Sequence, residues 1–186
     1  MSVDAISQSR ADQLHPVARA RILATIEDCA AAGIYLRLTQ GLRTQNEQHT
    51  LYIQGRQPLD VVNEARAAVG WASITEDQNR EVTNADFFQS MHCYGLAGDV
   101  DPSEGTTMAP FNPDWDVQDA EWQKVLAIAA SHQLAEGAKW TSVKRDYPHL
   151  YPHELDANPT QEMQQTLKDA GLDAVWAELD TVLPRP

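Results

Sequence analysis

Two short segments of the chain carry side chains that could bind a metal ion and move protons. Residues 90–99 supply the imidazole of His92 and the carboxylate of Asp99, and residues 146–149 supply a further carboxylate and the imidazole of His149. Two imidazoles and one carboxylate leave a fourth position for water, as in catalytic zinc sites, whereas structural zinc is closed by four ligands that usually include cysteines. The two segments could therefore form a catalytic metal site.

The spacing within the first segment requires the backbone to bend. His92 and Asp99 are seven residues apart, and Gly95 allows a turn between them. Ala97 and Gly98 are small enough for another backbone or a metal ion to approach closely. Because a surface histidine near an aspartate in a turn would look the same, the interpretation depends on the second segment.

Two further side chains could act on a substrate. Asp146 lies three residues before His149, so it could assist a metal-bound water without being a ligand. A carboxylate there could take a proton as the water attacks a carbonyl and return it to the leaving amine. Arg43, expected in a loop between a strand and a helix, could stabilise negative charge on the carbonyl oxygen. The alternatives are a solvated aspartate, a packed histidine and a surface arginine.

Neighbouring residues compete for the ligand positions. Asp101 follows Asp99 closely, and His153 is the one spare histidine that could replace His149. The acidic residues at 99, 101 and 104 could also attract a hard cation such as calcium, although a solvated turn accounts for them more simply.

Composition argues against several classes of partner. The chain has 186 residues, 42% of them hydrophobic and 22% charged, and a formal net charge of −13 from 27 acidic and 14 basic residues. Because Lys and Arg make most phosphate contacts, this charge argues against binding to nucleic acid or anionic lipid. The first ten residues lack the apolar core of a signal peptide, and no stretch approaches the roughly 20 apolar residues of a membrane span. We therefore expect synthesis in a cytoplasm and no membrane insertion.

The pattern along the chain predicts an α+β fold in a single domain, with helices, then a small sheet that carries both segments, then further helices. Thr44 and Glu47 fit a capping box, so a helix is expected from Thr44 to Gly55. Before it, the pattern predicts a helix over 9–32 and a strand over 34–39. After it, we expect a largely irregular stretch over 57–89 with a helix near 61–69, then a strand over 96–100 and a turn over 101–105. The rest of the chain is expected to form a helix that is capped by Asp116 or Asp119 and ends near 133, strands over 134–140 and 149–151, and one or two helices over 160–179.

The two segments resemble the motifs of the zinc D,D-carboxypeptidase and L-alanyl-D-glutamate endopeptidase family, a VanY-like group that includes phage endolysins. The family's first motif, S-x-H-x-x-G-x-A-x-D, matches residues 90–99 at every fixed position. Its second motif, a D-x-P-H element after a tryptophan, matches Trp140 and residues 146–149. The resemblance spans about residues 9–151, and it includes three stretches similar to the amino-terminal half of endolysin peptidases: 9–16, 38–44 and 47–56.

The resemblance implies a D,D-peptidase or Hedgehog-like zinc peptidase fold, in which a small, mostly antiparallel sheet carries the metal site and packs against helices. It implies Zn²⁺ bound by His92, Asp99 and His149, with Asp146 as the catalytic acid and base and Arg43 as a substrate or oxyanion contact. The expected domain is residues 1–186, with a motif-bearing core over about 9–151 and a helical extension over 155–186.

The resemblance also implies a function. It indicates a zinc-dependent peptidoglycan peptidase that cleaves the stem peptide, with the L-Ala–D-Glu bond favoured, and that acts as a phage or prophage endolysin in bacteriolytic cell wall degradation. Such an enzyme is expected to be a monomer that is made in the host cytoplasm and reaches the wall after a holin permeabilises the membrane. The alternatives are a D-Ala-D-Ala carboxypeptidase or dipeptidase of wall metabolism, and a non-catalytic relative that binds cell-wall peptides.

Overall fold

The computed structural model of the protein describes residues 3–103, 119–137 and 146–184, without the side chains of Asp119, Asp146 and Tyr147. Within these ranges, the strands are β1 (Leu36–Gln40), β2 (Gly98–Pro102), β3 (Leu134–Gly137) and β4 (Asp146–Pro152). They form one four-stranded antiparallel sheet with the strand order β1-β2-β4-β3, and its combination with α-helices confirms the predicted α+β class. The helices are α1 (Ala5–Ala11), α2 (Pro16–Ala31), α3 (Gln45–Ile53), α4 (Leu59–Ala68), α5 (Asp119–Ser131), α6 (Gln161–Ala170) and α7 (Leu172–Leu179), with short 3-10 helices at Glu76–Gln78, Phe87–Gln89 and Met91–Tyr94.

The single helix predicted over residues 9–32 is wrong, because the structure has two helices there, α1 and α2. Pro16 occupies the first position of α2, where a missing N–H leaves no helical hydrogen bond unmade. The same proline disfavours helical geometry in the residue before it, so α1 cannot run on into α2. His15 caps the new helix by accepting a hydrogen bond from the Val17 amide at Nδ1, over 3.3 Å.

The strand predicted over 34–39 is present as β1, with Leu36 and Leu38 fully buried. The second strand begins at Gly98 rather than at residue 96. The turn predicted over 101–105 is wrong for its first two residues. Asp101 and Pro102 continue β2 and pair with β1. Pro102 is tolerated because it lies beyond Gly98 and Asp99, the two residues of β2 that pair with β4. Residues 104 and 105 lie outside the described ranges.

The remaining predicted elements are largely confirmed. The capping box of Thr44 and Glu47 is present at the start of α3, and α4, α6 and α7 occupy their predicted stretches. β3 matches the first part of the strand predicted over 134–140, whose end lies outside the described ranges, and β4 is longer than the predicted 149–151. Asp119 lies within α5, and Asp116 is not among the described residues. No described helix is both long enough and apolar enough to cross a bilayer.

Two clusters of buried apolar side chains hold the sheet and the site in place. The first packs α1, α2 and α5 against the sheet, with Ile22, Leu38 and Val125 among its members. The second lies behind residues 91–97 and receives side chains from α6 and α7, including Met163, Val175 and Leu179. The carboxyl-terminal helices therefore pack directly against the segment that contains the first motif.

Candidate metal centre

Three side chains from separate parts of the chain converge beside strands β2 and β4. His92 comes from the 3-10 helix Met91–Tyr94, and Asp99 and His149 are direct cross-strand partners. Their ligand atoms all lie within 4.8 Å of one another. Asp99 Oδ1 is 3.2 Å from His92 Nε2 and 3.2 Å from His149 Nδ1. The structure thus brings together the three side chains that the motifs indicated.

The small residues of the first motif allow this convergence. Gly95 ends the 3-10 helix with a φ of 63°, in the left-handed region that glycine adopts without strain. At Gly98, a Cβ atom would lie 2.6 Å from Leu38 Cδ1 and 2.9 Å from Ile22 Cδ1, so a larger residue would require these two core side chains to shift. The turn and the close packing together place Asp99 at the start of β2, facing His92.

A backbone contact fixes the tautomer of His92. Its Nδ1 lies 2.8 Å from the carbonyl oxygen of Gly41, which can only accept a hydrogen bond, so Nδ1 carries the proton. The lone pair of the neutral ring then lies on Nε2, which faces Asp99. Burial lowers the pKa of His92 to about 4, which keeps the ring neutral at physiological pH.

Asp99 divides its two oxygens between different partners. Oδ1 faces the two histidines, and Oδ2 accepts a hydrogen bond from Arg43 Nη2 over 2.8 Å. Burial raises the pKa of Asp99, but the pKa nevertheless lies well below its usual value, and the Arg43 guanidinium that donates to Oδ2 favours the ionised form. The carboxylate is therefore ionised over the whole physiological range.

These donors fit a divalent metal ion such as zinc. Neutral imidazole nitrogens and a carboxylate oxygen are ligands that zinc takes, at about 2.0–2.2 Å, so two ligands of a tetrahedral ion lie roughly 3.4 Å apart. The observed nitrogen–oxygen distances of 3.2 Å are close to that spacing. The Gly41 carbonyl on His92 and the Arg43 guanidinium on Asp99 are outer contacts of the kind that orient metal ligands.

The competing ligand candidates do not join this group. Asp101 is buried against β1, where its Oδ2 accepts a hydrogen bond from Thr39 Oγ1 over 2.6 Å. His153 is exposed, and its Nδ1 lies 3.0 Å from the Gln133 carbonyl oxygen. Asp146 is the first residue of β4, where its backbone pairs with Gly137, but its side chain is not described. Trp140 and residue 104 also lie outside the described ranges.

The three side chains open onto a cleft of about 1060 Å³. Arg43 and residues 82–85 and 89–92 form part of its wall. Arg66 and Trp71 line it from α4 and the following loop, and residues 157–159 line it ahead of α6. The sequence patterns did not identify these last two walls as part of a site; the only available signal was that a long loop in a compact domain is often functional.

Comparison with known proteins supports the family resemblance. A family model of the M15 peptidases, described as D-alanyl-D-alanine carboxypeptidase, matches residues 83–152, which include all three converging side chains. The chain is also 29% identical, over 146 residues, to the peptidoglycan L-alanyl-D-glutamate endopeptidase CwlK of Bacillus subtilis, which covers 74% of this chain and 72% of the relative. These two matches support assignment of the chain to a VanY-like metallopeptidase family. A solved structure, the L-Ala D-Glu endopeptidase ChiX of Serratia marcescens, is also similar, with 17% identity, a TM-score of 0.46, and coverage of 80% of this chain and 86% of that chain.

Proposed function

We propose that this metallopeptidase hydrolyses the stem peptide of peptidoglycan at the L-Ala–D-Glu bond, with Zn²⁺ held by His92, Asp99 and His149. The convergence of these three side chains within 4.8 Å, at the wall of a large cleft, is the observation that carries the proposal. The choice of bond is supported by the similarity to CwlK, which is named as an L-alanyl-D-glutamate endopeptidase and matches about three quarters of this chain.

A zinc ion bound there would activate a water molecule as the nucleophile and polarise the scissile carbonyl. Asp146 is our candidate for the acid and base, because it begins the strand that carries His149 three residues later. In that role its carboxylate accepts a proton from the attacking water and passes it to the leaving amine. The complete donor set supports catalysis over the alternative of a relative that only binds wall peptides.

Arg43 has two roles in this proposal. Its Nη2 donates to Asp99 Oδ2 over 2.8 Å, and its Nε and Nη1 lie 3.4 Å from Gln40 Oε1 and 3.3 Å from Gln48 Oε1. A guanidinium has five N–H donors, so these contacts leave two for other partners. Because Arg43 also lines the cleft, we propose that it orients Asp99 and presents a remaining donor to the carbonyl oxygen of the substrate.

A second candidate function is the removal of terminal D-Ala by a D-Ala-D-Ala carboxypeptidase or dipeptidase. The description of the family model that matches residues 83–152 favours it. The same metal centre and the same acid and base would serve either reaction, so the two candidates differ in the bond that the cleft presents to the metal.

We further propose that the protein acts as a phage or prophage endolysin. In this setting the chain is a monomer that is made in the host cytoplasm and reaches the wall after a holin permeabilises the membrane. The similarity of residues 9–16, 38–44 and 47–56 to endolysin peptidases supports this setting.

A synthetic stem peptide that ends in D-Ala-D-Ala and contains the L-Ala–D-Glu bond tests the choice of reaction. Zinc-loaded protein is expected to release a fragment with a new D-Glu amino terminus, detected by mass spectrometry. Release of D-Ala, with the L-Ala–D-Glu bond left intact, would instead assign the carboxypeptidase reaction.

A further inference from the structure

Arg66 is held in place on the wall of the cleft by three contacts. Its Nε donates to the Ala72 carbonyl oxygen over 2.7 Å, and its Nη1 donates to Gln54 Oε1 over 3.2 Å. The guanidinium carbon also lies 5.6 Å from the centroid of the Trp71 ring, within reach of a cation–π interaction. Both Arg66 and Trp71 line the cleft that contains the three metal-binding candidates.

The charge of Arg66 is not balanced by any carboxylate in the part of the chain that the structure describes. Its two hydrogen bonds go to neutral oxygens and use two of the five guanidinium N–H donors. Among the described residues that line the cleft, two are arginines and one is a carboxylate, Asp99, whose Oδ2 is already bound to Arg43. Arg66 therefore gives the cleft a positive charge in a protein whose net charge is −13.

An acidic peptide would complement this charge. A glutamate residue has two carboxyl groups and uses one of them to continue a peptide chain, so the other remains as a free carboxylate. A planar guanidinium that is already oriented can bind such a group through two parallel hydrogen bonds. At about 1060 Å³, the cleft is at the upper end of the size of small-molecule sites, which suits an extended peptide that reaches both the metal centre and Arg66.

We propose that Arg66 binds the free carboxylate of the substrate's glutamate residue and selects for it, with Trp71 forming the adjacent apolar wall. This inference rests on the proposed function, because it takes the stem peptide as the substrate. The carboxylate does not change during hydrolysis of the neighbouring bond, so Arg66 stabilises the bound substrate and the transition state equally. Its loss is expected to raise KM and to leave kcat nearly unchanged.

The test compares two stem peptides that differ only in this group, one with the free carboxylate and one with a primary amide. Hydrogen bonds to charged groups contribute about 1.5–3 kcal/mol, so wild-type protein is expected to prefer the carboxylate by roughly ten- to a hundred-fold in kcat/KM. Arg66→Gln should abolish this preference through KM, and Arg66→Lys should restore part of it. Arg19→Gln is the matched control, because Arg19 pairs with Asp12 on the surface and does not line this cleft.

The outcomes separate this inference from the proposed function. Equal cleavage of both peptides by wild-type protein, or an unchanged preference in folded Arg66→Gln, would overturn the role of Arg66 and leave the endopeptidase assignment intact. Cleavage of neither peptide would overturn the proposed function and this inference with it. Circular dichroism and thermal unfolding establish whether each variant folds. If Arg66→Gln does not fold, equal cleavage of the two peptides by the wild-type protein would still overturn the role of Arg66.

Discussion

Arg43 and the Gly41 carbonyl act on the metal-binding candidates from outside the site. Gly41 fixes the proton of His92 on Nδ1, and Arg43 holds the second oxygen of Asp99. The motif indicates the metal-binding candidates, because residue types and spacing carry that signal. It does not identify Gly41, whose contribution is a backbone carbonyl that any residue could supply, and it gave no indication that Arg43 contacts Asp99.

Replacement of Arg43 tests this outer contact. Arg43→Ala removes the donor to Asp99 Oδ2, so we expect the affinity for zinc to fall by roughly 10- to 100-fold. Competition with a coloured chelator measures the change, and Arg19→Ala, on the surface, is the control. Unchanged zinc affinity in Arg43→Ala would contradict the orienting role.

Replacement of Asp146 separates proton transfer from metal binding. Asp146→Asn keeps the size of the side chain but cannot accept the proton of the attacking water, so kcat is expected to fall by roughly 10²- to 10⁴-fold. Zinc content, measured by atomic absorption, is expected to match that of the wild-type protein. A fully active variant would show that another group handles the proton.

Among the elements, local signals were sufficient where the determinant lies within a few residues. The capping box of Thr44 and Glu47 specifies the start of α3. The break between α1 and α2 is also local, at Pro16, but the apolar periodicity that runs on either side of it suggested one helix. The pairing of Asp99 with His149 joins residues fifty positions apart, so no local pattern could give it.

The cap of α2 predicts how stability depends on pH. His15 is fully buried and accepts the Val17 amide at Nδ1, with its Nε2 3.6 Å from Asp180 Oδ1. Burial lowers the pKa of His15 below the ordinary 6.5 despite the nearby Asp180. Below about pH 6.5 the unfolded chain therefore binds more protons at this position than the folded chain, so the free energy of unfolding decreases as the pH falls.

The comparison of wild-type protein with His15→Asn isolates this group, because asparagine also caps helices well but does not titrate. We expect the melting temperature of the wild-type protein to fall more steeply than that of the variant between pH 7.5 and pH 5.5. Parallel pH profiles for the two proteins would show that His15 does not contribute.

In the molecule as a whole, the carboxyl-terminal helices support the site from behind. Trp176 in α7 donates from Nε1 to the Tyr94 carbonyl oxygen over 2.8 Å, and its ring packs edge-on against His15 at 5.5 Å. Trp176→Phe removes the hydrogen bond and is expected to cost about 1 kcal/mol of unfolding free energy, whereas Trp176→Ala also removes the packing and is expected to cost about 3 kcal/mol. Chemical denaturation measures both values, and equal losses would contradict the separate contribution of packing.

The sequence indicated the fold class and the metal-binding candidates, but it did not indicate the shape of the cleft. Arg66 and Trp71 belong to a segment expected to be largely irregular, and residues 157–159 belong to an extension that matches no motif. Their place on the wall depends on how α4 and α6 pack onto the rest of the molecule, which is a long-range property.

Digestion of purified peptidoglycan tests the central claim most directly. The protein would be assayed loaded with zinc, stripped by a chelator and reloaded, with new amino termini identified by mass spectrometry. We predict new D-Glu amino termini from the loaded and reloaded protein and none from the stripped protein. Failure of the zinc-loaded protein to cleave peptidoglycan, or cleavage that survives removal of the metal, would contradict the assignment as a zinc-dependent peptidoglycan endopeptidase.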